Sequence, residues 1–467
     1  MLVEKCDNAA VNDSSAVQAR SAVFRRSFRK EFPFAVRGEG VYVWDGNGSR
    51  YLDLAGSAAV NFIGHGVGEI STAMAEQAAH LEFVHTSQFT TPVAEEYARE
   101  LLAFAGDHFR DGAVYFTCGG SESIETALKL ARQYQVEIGQ PRRHQIVSRH
   151  QSYHGSTLGA LSVSGNKRRR EIYLPMVREF PHIGMPYCYR CIYDGKDGCR
   201  NCGQEYAAEL ERAIEACKGE AAAFIFEPLS GATLGAVVPP PGYLKSVVEI
   251  CQRHNVLLIA DEVMTGMGRT GRNFAVDHWD VKPDILVTAK GLSSGYAPLG
   301  AVIASKKVVT IAAGSGPFLH GFTYNAHPIS LAAGRAVLRR LQLQKLVGAA
   351  DSSAADTPAA YFKKSLETLL DLPAVGDVRG LGLLWGVEFV ADKPSKRPFS
   401  PEQNMAGNIG VAALKRGLLV YPMQGCVDGT SGDHLLLAPP AVITREQIDC
   451  AVNQLSAAIR EACESLR

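Results

Sequence analysis

VLLIAD (residues 256–261) and DILVTAK (residues 284–290) decide the fold. Each is a nearly unbroken aliphatic run, as a strand buried on both faces of a parallel sheet requires, and each delivers one charge at its end, Asp261 and Lys290. Working outward, short apolar runs recur: AVYFT (113–117), HQIVSR (144–149), AAFIFE (222–227) and GAVIAS (300–305). Helix-like stretches such as 123–138 and 242–254 separate them. This alternation predicts an α/β domain with a mainly parallel sheet flanked by helices. In open sheets of that kind ligands sit beyond the carboxyl ends of the strands, so Asp261 and Lys290 are expected at one crevice. A loop lysine and a helix-capping aspartate would read the same in isolation.

The flanks follow other patterns. VYVWDGNGSRYLDLAGS (41–57) alternates apolar and polar residues around an Asp-Gly-Asn-Gly turn, which predicts a hairpin. Residues 69–106 have helical periodicity broken near Pro92. Beyond Ser330 come a helix over 330–346, an Ala-, Asp- and Ser-rich joint over 348–358, and a further helix. The strand-like runs GLLWGVEFV (382–390) and HLLLAPP (434–440) follow, with a closing helix over 444–465. The expected division is residues 1–68 as a leader plus a segment joining the small domain, 69–330 as the large domain, and 331–467 as a smaller α+β domain.

Composition narrows the function classes. With 467 residues, 46% of them hydrophobic and 21% charged, the chain suits a globular enzyme of two to three domains. Lys plus Arg and Asp plus Glu both number 48, so no global basic field points to nucleic acid or to an anionic membrane. No run of about eighteen apolar residues predicts a membrane helix. The first twenty residues lack the apolar core of a signal peptide, and Glu4, Asp7 and Asp13 argue against a transit peptide, so a cytoplasmic location is expected. The 11 cysteines are accordingly expected to be reduced.

Several short strings could carry chemistry. FTCGGSESIETALKLAR (116–132) reads as a strand, a two-glycine turn and a helix, so Gly119, Gly120 and Ser121 could cradle a phosphate on free backbone N–H groups. A generic Gly-Gly-Ser turn would look alike. Tyr153 and His154 stand just beyond a strand, where an aromatic ring could stack on a planar heteroaromatic or simply pack. Glu227 brings another carboxylate to the same edge. A lysine amine facing an acid that can pair with a pyridinium nitrogen is the protein half of a pyridoxal 5'-phosphate site.

Read in order, these strings with DEVMTGMGRTG (261–271), AKGLSSG (289–295) and HGFTYNAHP (320–328) resemble the class III aminotransferases, a pyridoxal phosphate family of fold type I. The resemblance runs from about Gly38 to the end of the sequence. It implies a large domain with a mainly parallel seven-stranded sheet and a smaller α+β domain. It implies that Lys290 forms the Schiff base and then serves as the base for the proton shift, while Asp261 keeps the ring nitrogen protonated. Val263 and Tyr153 are expected on the two ring faces, and Gly120 and Ser121 on the phosphate. His154 joins the cofactor-binding set, and Glu227 is expected near the ring hydroxyl or the substrate entrance. Thr323 is expected to reach a phosphate across a homodimer interface, giving two shared sites. Phe62 and Phe89 are expected on the substrate side. The implied reaction moves an amino group from an ω-amino acid, amine or amino acid donor to a keto acid such as pyruvate. An amino acid racemase on the same fold is the alternative.

Two departures bear on the substrate. Leu436 stands where members acting on α-amino acids with 2-oxoglutarate commonly carry an arginine, and Tyr421 where ω-amine members often carry another. Neither can form the bidentate fork that clamps a carboxylate, which shifts the expected donor toward ω-amino acids or aliphatic amines. Arg379, Arg269 or a residue in the 426–434 loop could supply the clamp, or could equally serve structural ion pairs. The phosphate motif has Cys118 and Gly119 where Asn and Ser are common. A separate string, CYRCIYDGKDGCRNCG (188–203), carries Cys188, Cys191, Cys199 and Cys202 as two C-x2-C pairs. That pattern can wrap zinc, but the spacing between the pairs is short and the family does not require a metal, so none is assigned.

Overall fold

A computed structural model of the chain describes residues 22–27, 31–193, 201–312, 314 and 316–466. Most of the expected leader and Cys199 lie outside these. Three N-terminal strands, β1 (Ala35–Glu39), β2 (Tyr42–Asp45) and β3 (Arg50–Asp53), form the hairpin read around the Asp-Gly-Asn-Gly turn with one strand added before it. The Asp45 carboxylate closes that turn by accepting from the backbone N–H groups of Asn47 and Ser49, both at 2.9 Å. Pro92 begins a helix, Pro92–Ala105, because the missing proline N–H is no loss in a first turn and Thr91 caps it.

The central sheet has seven strands: β4 (Ala113–Thr117), β5 (Gln145–Arg149), β6 (His182–Ile183), β7 (Ala221–Phe226), β8 (Leu257–Asp261), β9 (Ile285–Thr288) and β10 (Gly300–Ala304). Their order is β4-β10-β9-β8-β7-β5-β6. Only β10 runs against its neighbours. Every residue of β7 to β10 is buried, which is why those runs read as continuous aliphatics rather than as alternation. Each fully buried Ile, Leu or Val there contributes about 1.5–3 kcal/mol. The helix Gly120–Glu137 lays Ile124, Ala127, Leu130, Ala131 and Tyr134 on one face of the sheet, the spacing of an amphipathic helix on a core.

A second sheet is wholly antiparallel, made of β11 (Val375–Leu381), β12 (Leu384–Phe389), β14 (Tyr421–Gln424) and β15 (Asp433–Leu437) in the order β11-β12-β15-β14. Between them in sequence, β13 (Leu418–Leu419) pairs in parallel with β3, so the N-terminal sheet is finished by a C-terminal segment. The closing helix Arg445–Glu464 starts from a capping box in which Thr444 and Gln447 satisfy each other's backbone N–H groups. No helix among the described residues is long and apolar enough to cross a membrane.

Candidate active site

Because β4, β5, β7, β8 and β9 are parallel, their carboxyl ends share one edge. The chain leaves that edge at Cys118, His150, Glu227, Glu262 and Ala289, and the loop before the antiparallel β10 returns to it. These segments enclose a cavity of about 450 Å3. Lys290, Asp261, Glu227, Tyr153, His154 and Val263 all form its wall, as do Gly120 and Ser121.

Lys290 opens a short turn directly after β9 and adopts φ +41°, a left-handed conformation uncommon for a residue with a side chain. Strain of this kind costs about 1–3 kcal/mol and persists only where the surroundings impose it. Burial pushes the Lys290 amine down to about 8, against the opposing pull of Asp261 and Glu227. A buried amine near neutrality is a nucleophile, where an exposed lysine is a spectator.

Asp261 ends β8 and is 4% exposed. Its Oδ1 accepts from the Val263 N–H at 3.0 Å, and its Oδ2 lies 2.7 Å from His154 Nδ1. A carboxylate only accepts, so this contact fixes the histidine tautomer with its proton on Nδ1. His154 Nε2 is left buried without a partner. Glu227 resembles it: Oε1 accepts from the Gly231 N–H at 3.0 Å, while Oε2 is buried and unpartnered. Burial raises the Glu227 carboxyl above its ordinary range, with His154 opposing.

The glycine turn is shaped for close approach. At Gly119 an added Cβ would meet nothing within 4 Å, whereas at Gly120 it would press on Val263 Cγ1 at 3.0 Å. Gly155, at φ +145°, holds the Tyr-His-Gly segment so near the helix start that a Cβ would lie 2.6 Å from Ser121 Oγ. Ser121 Oγ in turn accepts from the Ser156 N–H at 3.1 Å. The result is a helix N-terminus with free N–H groups, an aromatic ring and an aliphatic side chain on the cavity wall, a lysine amine and a buried acid. That set fits pyridoxal 5'-phosphate in each part: anion, planar ring, carbonyl and ring nitrogen. The buried, unpartnered His154 Nε2 and Glu227 Oε2 are polar atoms such a group could satisfy.

Other expected residues sit elsewhere. Thr323 is exposed and forms no part of the wall. Phe62 is 1% exposed and lies beneath the Arg269 guanidinium, 4.7 Å from its ring centroid, so it packs rather than lines; Val60 lines the cavity instead. Phe89 is 63% exposed and away from the wall. Arg269 is committed to the backbone, donating to the carbonyls of Ala438, Pro439 and Asn61 at 3.0, 2.6 and 2.8 Å. Arg379 is equally engaged, with Asp377 and Glu388 each at 2.8 Å and the carbonyls of Leu234 and Gly235 beyond. In the 426–434 loop, Cys426 is buried and His434 Nε2 reaches the Ala232 carbonyl at 2.7 Å. Leu436 and Tyr421 face each other across β15 and β14 in an apolar cluster with Leu229, Ala232 and Met264, three residues of the cavity wall. Sequence reasoning overlooked that continuity, because it joins residues two hundred positions apart.

The cysteine string gives no metal centre among the described residues. Cys188 is exposed, Cys191 half-buried and Cys202 buried at a helix start. Among the described residues, the one group of three His, Cys, Asp or Glu ligand atoms lying within 4.8 Å of one another is Glu211, Glu215 and His254.

The family model for class III aminotransferases matches residues 24–459. An uncharacterized aminotransferase, YodT of Bacillus subtilis, is 39% identical over 96% of this chain and 99% of its own. A putrescine–pyruvate aminotransferase of Pseudomonas aeruginosa is 35% identical over 88% of this chain and 87% of its own. Among solved structures, a thermostable (S)-enantioselective omega-transaminase from Thermomicrobium roseum superposes with a TM-score of 0.85 at 38% identity, covering 93% of both chains.

Proposed function

The chain belongs to the class III aminotransferase family, and we propose that it transfers the amino group of an ω-amino acid, an amine or an amino acid to a keto acid such as pyruvate, with pyridoxal 5'-phosphate bound through Lys290. The observation that carries this reading is the meeting of a depressed lysine amine and a buried aspartate at neighbouring strand ends in one cavity. The cofactor supplies an aldehyde for amines and a ring that withdraws electrons from the carbon being deprotonated.

The remaining work falls to side chains. Lys290 Nζ, its amine held down to about 8 by burial, would hold the cofactor and, once released from it, would carry the proton taken from the donor carbon. Asp261 holds a proton at the ring nitrogen, and His154 keeps Asp261 oriented for it through the 2.7 Å contact. Tyr153 and Val263 confine the ring. The N–H groups at Gly120 and Ser121 take the phosphate. Thr323 reaches the phosphate of a second copy, so that the working unit is a homodimer with two shared sites; its exposure, away from its own cavity, suits that role.

The apolar wall bears on the donor. With Leu436 and Tyr421 packed among Leu229, Ala232 and Met264, that side offers no charge to a carboxylate and favours the alkyl body of an amine. A homologous putrescine–pyruvate aminotransferase fits such a preference. The test is a panel of donors, including 1,4-diaminobutane, β-alanine and ornithine, with pyruvate as acceptor and alanine as the readout. Alanine formed in step with amine consumed supports the proposal. Loss of optical rotation from an amino acid with no alanine formed would replace it with a racemase.

A further inference from the structure

A keto acid must be held by its carboxylate, and a cation in fork geometry is the usual means. Both arginines considered from the sequence are spent. Arg269 is saturated by three backbone carbonyls, and Arg379 by two carboxylates and two carbonyls. Positions 421 and 436, Tyr and Leu, carry no positive charge. A third arginine remains beside the site. Arg169 belongs to the helical turn Lys167–Arg170, whose start is fixed by Asn166 Oδ1 accepting from the Arg169 N–H at 3.1 Å. From there its guanidinium carbon lies 4.5 Å from the centroid of the Tyr153 ring. Tyr153 is part of the same wall as Lys290, and its hydroxyl is tied to Ser156 Oγ at 2.9 Å.

Three further observations single Arg169 out. Among the described residues it enters no ion pair, so its donors are uncommitted apart from the ring face. Its positive charge reaches the Lys290 amine, which it helps to hold down. Its neighbour Arg168 donates to Gln424 at 3.1 Å, anchoring the turn to β14, the strand that begins at Tyr421. A guanidinium stacked on an aromatic is held in place yet keeps its in-plane N–H groups free, which an ammonium would not. Lys167, Arg168 and Arg170 flank it and add a local basic field that draws an anion toward the turn.

We propose that Arg169 binds the carboxylate of the keto acid acceptor, the task left open by Leu436 and Tyr421; this rests on the aminotransferase reading above. The acceptor is then recognised at the Tyr153 side of the cavity, opposite in character to the apolar wall that favours the donor.

The test uses holoenzyme, native and as Arg169→Met and Arg169→Lys, with 1,4-diaminobutane as donor and either pyruvate or butanal as acceptor, butanal having no carboxylate. Arg169→Met is expected to lower the ratio of kcat/KM for pyruvate to that for butanal by about 10- to 100-fold, mostly through KM for pyruvate, as loss of a charge-assisted contact should. Arg169→Lys should recover part of that ratio. An unchanged ratio, whether both acceptors keep their rates or both lose them equally, overturns the proposal and leaves Arg169 a packing residue. Native enzyme that forms no alanine from any donor removes the aminotransferase reading first, and this proposal with it.

Discussion

Consider Lys290 titrated in the protein stripped of its cofactor. Burial holds its amine at about 8, and the largest opposing influence is Asp261, followed by Glu227. At pH 7 an amine of that kind is free in about a tenth of molecules, against about 0.03% for an ordinary lysine, roughly a 300-fold difference. Its folded value lies below its unfolded one, so the unfolded chain binds more protons between about 8 and the ordinary 10.5. This group's contribution to stability therefore rises with pH across that window. Trace acetylation with acetic anhydride from pH 6 to 10.5, read peptide by peptide by mass spectrometry, measures Lys290 against the exposed Lys245 and Lys282 as internal references. Lys290 should label with a midpoint near 8, well below the ordinary 10.5. Replacing Asp261 with Asn removes the main charge holding the value up, and the midpoint should fall further, by about one unit or more. Glu227→Gln should shift it the same way by less. A Lys290 curve that overlays the exposed lysines, or an Asp261→Asn shift upward, would refute the electrostatic argument.

Other expectations follow from the same contacts. His154→Phe leaves Asp261 Oδ2 without its buried donor, at a cost of about 1.5–3 kcal/mol, and should weaken cofactor affinity about tenfold or more in a fluorescence titration while leaving the folded far-ultraviolet spectrum intact. Gly155→Ala puts a Cβ at 2.6 Å from Ser121 Oγ on a backbone at φ +145°; thermal denaturation should show a loss of about 2 kcal/mol or more. Arg379→Met removes one of the two arginines paired with the buried Glu388, Arg190 keeping its contact at 2.6 Å, and should destabilise the protein by about 1.5–3 kcal/mol in urea unfolding, whereas a true substrate clamp would leave stability unmoved.

Much of this was readable in the letters because the central sheet is buried on both faces, so β7 to β10 appear as aliphatic runs whose ends can be counted. The site residues follow, since a parallel sheet gathers strand ends. What escaped depended on pairing rather than pattern. β11, VGDVRGL, contains two glycines, an aspartate and an arginine and has no strand alternation; it forms because β12 supplies its ladder. In the string with the most specific spelling, DEVMTGMGRTG, Asp261, Val263, Met264 and Thr265 line the cavity and the rest is largely architectural. Glu262 is buried at a carboxyl pushed up to about 7 and bonds Thr265 and the Val276 N–H, and Arg269 ties three carbonyls together. Arg169 drew no notice in the sequence because KRRR reads as a solvated basic run; only its stacking on Tyr153 distinguishes it.

The central claim is that Lys290 carries the cofactor. Holoenzyme treated with sodium borohydride, digested and analysed by tandem mass spectrometry should place the pyridoxyl phosphate adduct on the peptide containing Lys290, at close to one per chain, and the adduct should vanish in Lys290→Ala. An adduct on another lysine, or none in protein that still forms alanine from pyruvate, would contradict the account.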